Sequence, residues 1–376
     1  MSVRHVLTSL RIRNFFFTEA DSSKSLLTAN SFGLIRLVLA ATVVLHHALV
    51  LSGFPELTYF GLLKGAFLGS TAVAGFFAIS GFLLVSSANR SSSKAFIIHR
   101  IFRIFPALWV CLLVTSFLIV PVSVIFARDV FHYAMISGSD SALMYVLKNS
   151  ALLVVSHTIG TVFSTNPYPL VIDGSLWTLA PEFICYLSLL GIAVISKKRR
   201  HLQLIVLVIG LSMGILAWLL SRSAFTEIIS LQIQEALGLG ISFCAGAILG
   251  LAAEKFALRP KIIVSGTLLV IWIFVGPGGP VGFISLSVIV IMLGLSMTHS
   301  RFVTIGKGTD ISYGVYLYHM PLMQGLVAAV TIVWSPKIAL LILAPLTLGT
   351  AGIFALFSWR FIEKPSIDFA RTYTRR

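Results

Sequence analysis

Apolar stretches close to 20 residues long recur about ten times along this chain, and no other feature constrains its fold as strongly. They fall at about 31–53, 69–88, 106–126, 175–196, 202–221, 236–253, 261–276, 281–298, 311–333 and 338–359. A helix of ~20 residues rises ~30 Å, the thickness of a bilayer's hydrocarbon core. The backbone inside lipid must satisfy its own hydrogen bonds, which a helix does. The chain is 57% hydrophobic and 11% charged, against roughly a quarter charged in soluble domains. The expected fold is all-α, a polytopic transmembrane helix bundle of about ten spans.

The charges between the spans set the orientation. Arg4, Arg11, Arg13, Lys24, Arg90, Lys94, Arg100 and Arg103 fall on one side, followed by the run Lys197, Lys198, Arg199, Arg200. Lys255, Arg259, Lys261, Arg301, Lys307, Arg360, Lys364, Arg371, Arg375 and Arg376 join them. The opposite side holds only Lys64, Arg128, Lys148, Arg222 and Lys337. Basic loops stay cytoplasmic, so an even number of spans leaves both termini cytoplasmic. The net charge of +15 then reflects topology, and nucleic acid is not an expected partner.

Residues 1–30 read as a cytoplasmic N-terminal segment, 31–365 as one membrane domain and 366–376 as a cytoplasmic tail. Arg11 and Arg13 interrupt the apolar character of the N-terminal segment, unlike a cleaved signal peptide. Cys111, Cys185 and Cys244 all fall in apolar spans without paired spacing, so neither a disulfide framework nor a metal site is expected. Most connections are short. The exception, about 127–174 on the outer side, carries a candidate helix over 141–155 and the turn-forming NPYP at 166–169. Long loops often bind, and acceptor recognition is placed here.

Several ionisable residues lie inside the spans, where each is costly and by default a functional candidate. Arg36 and His47 are eleven residues apart in RLVLAATVVLHH. That is three helical turns plus ~20°, so the two share a face, separated by ~16 Å of rise. His46 lies ~80° off that line and reads as packing. Arg100 and Arg103 in HRIFRIFP are helical neighbours at the cytoplasmic mouth of the third span. They are either ordinary flanking charge or a pair of planar guanidiniums suited to phosphates. Pro106 fits a first helical turn. Glu182 in GSLWTLAPEFICYL lies about two turns into the fourth span. It is either a structural ion-pair partner or the carboxylate that orients His47.

Gly75, Ser80 and Gly81 suit close helix packing. In GTDISYGVYLYHMPL, Tyr313, Tyr316 and His319 recur every three residues and share a face, as belt aromatics or as a substrate lining. Asp310 before Ser312 suits a helix start. Arg360 and Glu363 in SWRFIEKP read as a local ion pair.

In this order, the arginine–histidine spacing of span one, FFAISGFLL, the Arg-x-x-Arg of HRIFRIFP, SLWTLAPE, ISYGVYLYHMP and SWRFIEKP resemble the membrane-bound acyltransferase-3 family from about residue 31 to 365. The resemblance is to the stand-alone membrane domain, without the extracytoplasmic esterase-like domain some relatives carry. It implies a ten-helix enzyme of the bacterial inner membrane. Such an enzyme moves acyl groups, commonly acetyl, from cytoplasmic acyl-CoA to hydroxyls of surface glycans, lipid-linked sugars or small acceptors. It gives functional weight to Arg36, His47, Arg100 and Arg103, and more loosely to Glu182. His46 and Pro181 depart from the pattern.

Joined to that resemblance, the residues suggest a route. Arg100 and Arg103, with Arg36 along the path, hold the anionic end of coenzyme A. His47 acts as general base with Glu182 stabilising its charge, while Tyr313, Tyr316 and His319 line the substrate. A covalent acyl-enzyme route is equally open. The rival class is a proton-coupled transporter or flippase of sugar-type substrates using Arg36, His47 and Glu182 as a relay. A structural membrane subunit is the third.

Overall fold

A computed structural model of the chain describes residues 17–19, 30–62, 66–127, 132–196, 199–222, 227–256, 258–297, 300–305, 308–329 and 335–375. Most of the N-terminal segment expected over 1–30 lies outside these. The principal helices are α1 (Phe32–Leu51), α2 (Leu68–Arg90), α3 (Ser93–Val114), α4 (Val120–Phe126), α5 (Ala142–Asn149) and α6 (Leu179–Ile195). They continue with α7 (Arg199–Arg222), α8 (Glu227–Phe256), α9 (Ile262–Val275), α10 (Gly279–Ser296), α11 (Ser312–Ala329), α12 (Ala344–Ser358) and α13 (Lys364–Arg375). The protein is all-α, and a helix occupies each of the ten apolar stretches. Among the described residues seven helical stretches are long and apolar enough to cross a membrane, and the apolar runs His201–Leu216 and Ile262–Val275 are shorter.

Helices run well beyond the apolar pattern at the third, sixth and tenth stretches. The third begins at Ser93, where the Ser92 hydroxyl accepts from the Ala95 amide at 3.2 Å. It passes through a π-helical turn, Thr115–Ile119, into α4. Pro106 therefore lies inside α3 and not in a first turn. Its missing N–H removes one backbone bond, a loss that membrane helices tolerate. The last stretch likewise continues through a π turn, Trp359–Glu363, into α13. Arg100, Arg103 and Glu363 thus sit on continuous helices.

The chain divides into two compact units. The first comprises the chain up to Arg36, Phe60–Ser91 and Ser188–Gly308. In it α8 packs against α2, α7 and α10, and α9 packs against α10. Glycine makes the α2–α8 approach close. A Cβ on Gly81 would collide with the Phe243 carbonyl, and one on Gly246 with the Ala78 carbonyl. Lipid supplies little hydrophobic drive between helices, so such contact carries the association. Ser70 donates to Glu235 across this packing at 2.8 Å.

The second unit comprises Leu37–Tyr59, Ser92–Leu187 and Thr309–Arg376. Here α11 packs against α12 and α4, and α13 packs against α3. Most side chains of α11 are buried, His319 and Gln324 included. Gly314 lets α11 meet α12: a Cβ there would stand 2.7 Å from the Ala355 Cα.

Candidate active site

His47 and His319 meet in the second unit. His47 sits near the C-terminal end of the largely apolar α1, and His319 is fully buried on α11. His47 Nδ1 and His319 Nε2 are 2.9 Å apart. The ring centroids are 4.9 Å apart and tilted by 44°. His46 is itself buried, and its ring stands edge-on to His47 at 4.9 Å. The other nitrogen of His319, Nδ1, lies 2.7 Å from the Tyr316 carbonyl one turn back.

A polar network extends from this pair. The Tyr316 hydroxyl donates to the Ser175 carbonyl at 2.8 Å and lies 2.5 Å from the Thr178 hydroxyl. Asp173 Oδ1 accepts from the Ser175 hydroxyl at 2.6 Å and from its amide at 2.9 Å. Asp173 is 1% exposed, and its Oδ2 has no hydrogen-bond partner among the described residues. Burial raises its carboxyl to a pKa of about 7.

The cationic residues belong to a separate cluster. Arg103 donates to Asp310 at 2.9 Å and to Glu363 at 3.3 Å, with the Tyr313 and Trp359 rings each 5.7 Å from its guanidinium carbon. Glu363 also accepts from Ser358 at 3.0 Å. Asp310 accepts from the Ser312 hydroxyl at 2.6 Å, so it starts α11 as expected while holding the arginine. Tyr313 donates to the Ile104 carbonyl at 3.1 Å. Arg100 lies over the Phe96 and Tyr186 rings at 6.0 and 5.9 Å, and the Tyr186 hydroxyl donates to Glu182.

These positions revise several assignments. The group hydrogen-bonded to His47 is His319, while Glu182 accepts from the Tyr186 hydroxyl. Glu363 pairs with Arg103 across helices rather than with Arg360 three residues away. Arg103 gives donors to two carboxylates instead of standing with Arg100 as a bare cationic pair. Tyr313, Tyr316 and His319 share a helix face, yet Tyr313 faces Arg103 whereas His319 faces His47. Arg36 lies on α1, the helix that carries His47. Asp173 is the polar group that sequence reading missed, since a lone acid in a loop carries no spacing signal.

The 127–174 connection is pinned to α11. Asn166 donates to the Gln324 carbonyl at 3.0 Å and to its side-chain oxygen at 2.7 Å. Gln324 in turn donates to the Tyr168 and Val171 carbonyls at 2.9 and 2.8 Å. Leu152, Phe163 and Leu170 adopt φ of 68°, 64° and 63°, a left-handed backbone that side chains resist. Such strain persists only where the surroundings hold it.

A family model described as an acyltransferase domain, that of the acyltransferase-3 family, matches residues 30–359. A protein of Shigella phage Sf6 named O-acetyl transferase is 29% identical over 346 residues, covering 89% of this chain and 95% of that protein. Nodulation protein 10 of Rhizobium leguminosarum bv. viciae is 29% identical over 382 residues, covering 92% and 95%. No solved structure matches the chain.

Proposed function

The chain belongs to the acyltransferase-3 family, and from that premise we propose that it is a membrane O-acyltransferase. It takes an acyl group, acetyl in the simplest case, from acyl-CoA. The acceptor is a hydroxyl of a surface glycan, a lipid-linked sugar or another small molecule. The phage relative named O-acetyl transferase supports acetyl as the group. The seven long apolar helices support a place in the membrane, which we assign to the bacterial cytoplasmic membrane.

One observation carries the reading: a histidine ring in an apolar helix, hydrogen-bonded on one nitrogen to a second buried histidine. Neutral imidazole suits proton transfer near pH 7. His47 takes the proton of the acceptor hydroxyl as that oxygen attacks the thioester carbon. The carbon–sulfur bond then breaks, the new ester forms, and the departing thiolate takes the proton from His47. Acyl-CoA and the alcohol become ester and free coenzyme A, with His47 restored. Arg100 engages the anionic end of the donor. Arg103, steadied by Asp310 and Glu363, supports it with the donors it has left. The 127–174 connection receives the acceptor.

The test is direct. Purified protein is given acetyl-CoA labelled in the acetyl group and a glycan acceptor. Label appearing on the glycan with one free thiol released per transfer supports the reading. Movement of unmodified glycan across a liposome without donor consumption would replace it with a transporter.

A further inference from the structure

Resting on the reading of His47 as the base, we propose that His319 is a positioning residue that makes Nε2 of His47 the basic nitrogen. A carbonyl oxygen only accepts hydrogen bonds, so the 2.7 Å contact with Tyr316 places a hydrogen on His319 Nδ1. The Nε2 of a neutral ring then carries the lone pair. That lone pair lies 2.9 Å from His47 Nδ1, and two lone pairs would repel there, so His47 Nδ1 carries the hydrogen. The His47 ring also meets the Val43 carbonyl one turn back, which only accepts and so likewise calls for a ring hydrogen; with that hydrogen on Nδ1, His47 Nε2 keeps its lone pair and can take a proton. In the opposite tautomer of His47 the lone pair would point at His319, where no acceptor hydroxyl reaches it.

The arrangement is built, not incidental. His319 is 0% exposed, and an apolar side chain would fill its volume without the cost of burying a polar ring. Both of its nitrogens are bonded. The carbonyl that fixes its tautomer belongs to Tyr316, whose hydroxyl is anchored on Ser175 and Thr178. The titratable groups facing the pair are His46 on the same helix as His47 and Tyr316 on α11.

Proton accounting follows the same line. When His47 Nε2 takes the acceptor's proton, its Nδ1 hydrogen bond to His319 shortens the path for the positive charge to spread. The proton on Nδ1 can shift to His319 Nε2, while His319 Nδ1 keeps its bond to the carbonyl. The shift reverses as Nε2 of His47 gives its proton to the thiolate.

The experiment compares His319→Leu, His319→Gln and His47→Ala. Glutamine places an accepting oxygen near the former Nε2 but cannot take up the proton. His319→Leu should lower kcat on the order of 100-fold with KM for donor and acceptor nearly unchanged, and His319→Gln should recover a large part of that loss. Nitrogen-15 NMR of histidine-labelled wild-type protein should show His47 protonated at Nδ1 and bare at Nε2. A Leu variant at wild-type rate beside an inactive His47→Ala would remove His319 while leaving His47 as the base. Equal loss in Leu and Gln variants, or a wild-type His47 protonated at Nε2, would overturn the positioning role. An active His47→Ala would overturn the base itself. Should the Leu variant fail to fold, the Gln variant and the wild-type spectrum still decide.

Discussion

His47 and His319 stand 272 positions apart in the chain, yet their facing nitrogens are 2.9 Å apart. The contact joins α1 to α11, most of whose side chains are buried. In the proposed mechanism it orients the ring of His47, the base, from behind. Close contacts within each unit and the charged residues of the second unit carry further consequences.

Gly246→Ala should destabilise the first unit. The added methyl meets the Ala78 carbonyl, backbone that yields only if the helix moves. Overpacking of this kind costs about 1–3 kcal/mol. Thermal unfolding in detergent should show a lowered Tm, while transfer per folded molecule at low temperature stays near wild type. An unchanged Tm would mean that α2 and α8 are less closely apposed.

Arg103→Met should destabilise the second unit strongly. It strands Glu363, whose side chain is 0% exposed, together with the Asp310 carboxylate. Stranding buried charge costs about 3–5 kcal/mol. Adding Asp310→Asn and Glu363→Gln to Arg103→Met should restore much of the loss. If the triple variant were no more stable than the single one, Arg103 would not be acting through these carboxylates.

Asp173 should make stability depend on pH. Its folded pKa of about 7 lies above the ordinary 3.8. From about pH 4 to 7 the folded state keeps a proton that the unfolded state has shed. Stability therefore falls as pH rises through that window and levels off above it. Asp173→Asn keeps the oxygen that accepts from Ser175 and removes the titration. Its Tm should match wild type near pH 4 and exceed it increasingly toward pH 8. A variant less stable than wild type at pH 8 would contradict burial as the cause.

Arg100→Ala should raise the donor KM about tenfold or more, with kcat at saturating donor little changed. Charge-assisted contacts to phosphate are worth roughly 1.5–3 kcal/mol each. Initial rates across acetyl-CoA concentrations read this out. An unchanged KM would return Arg100 to the role of flanking charge.

How much of this was legible beforehand follows from the range of each signal. Apolar runs of membrane length mark the helices because lipid thickness imposes them. Local rules then err where distant partners intervene. Three-residue neighbours meet on a helix, which points Glu363 to Arg360, but Arg103 from α3 claims it. Depth alone matches Glu182 to His47, yet no periodicity tells which face turns toward which helix, and it is His319 that bonds to His47. The helix expected over 141–155 ends at Asn149. There the Asn149 side chain accepts from the Val155 and Ser156 amides at 3.0 and 3.1 Å, and Leu152 turns left-handed. His47 itself was visible as a titratable ring where a span pays for polarity.

Transfer by His47→Ala is the most direct measurement of the whole account. Purified variant and wild type, matched for folding by Tm and for binding of acetyl-CoA, are compared for label passed to the acceptor. With His47 as the base, donor binding stays near wild type and transfer falls at least about 100-fold. Transfer within a few fold of wild type would contradict it.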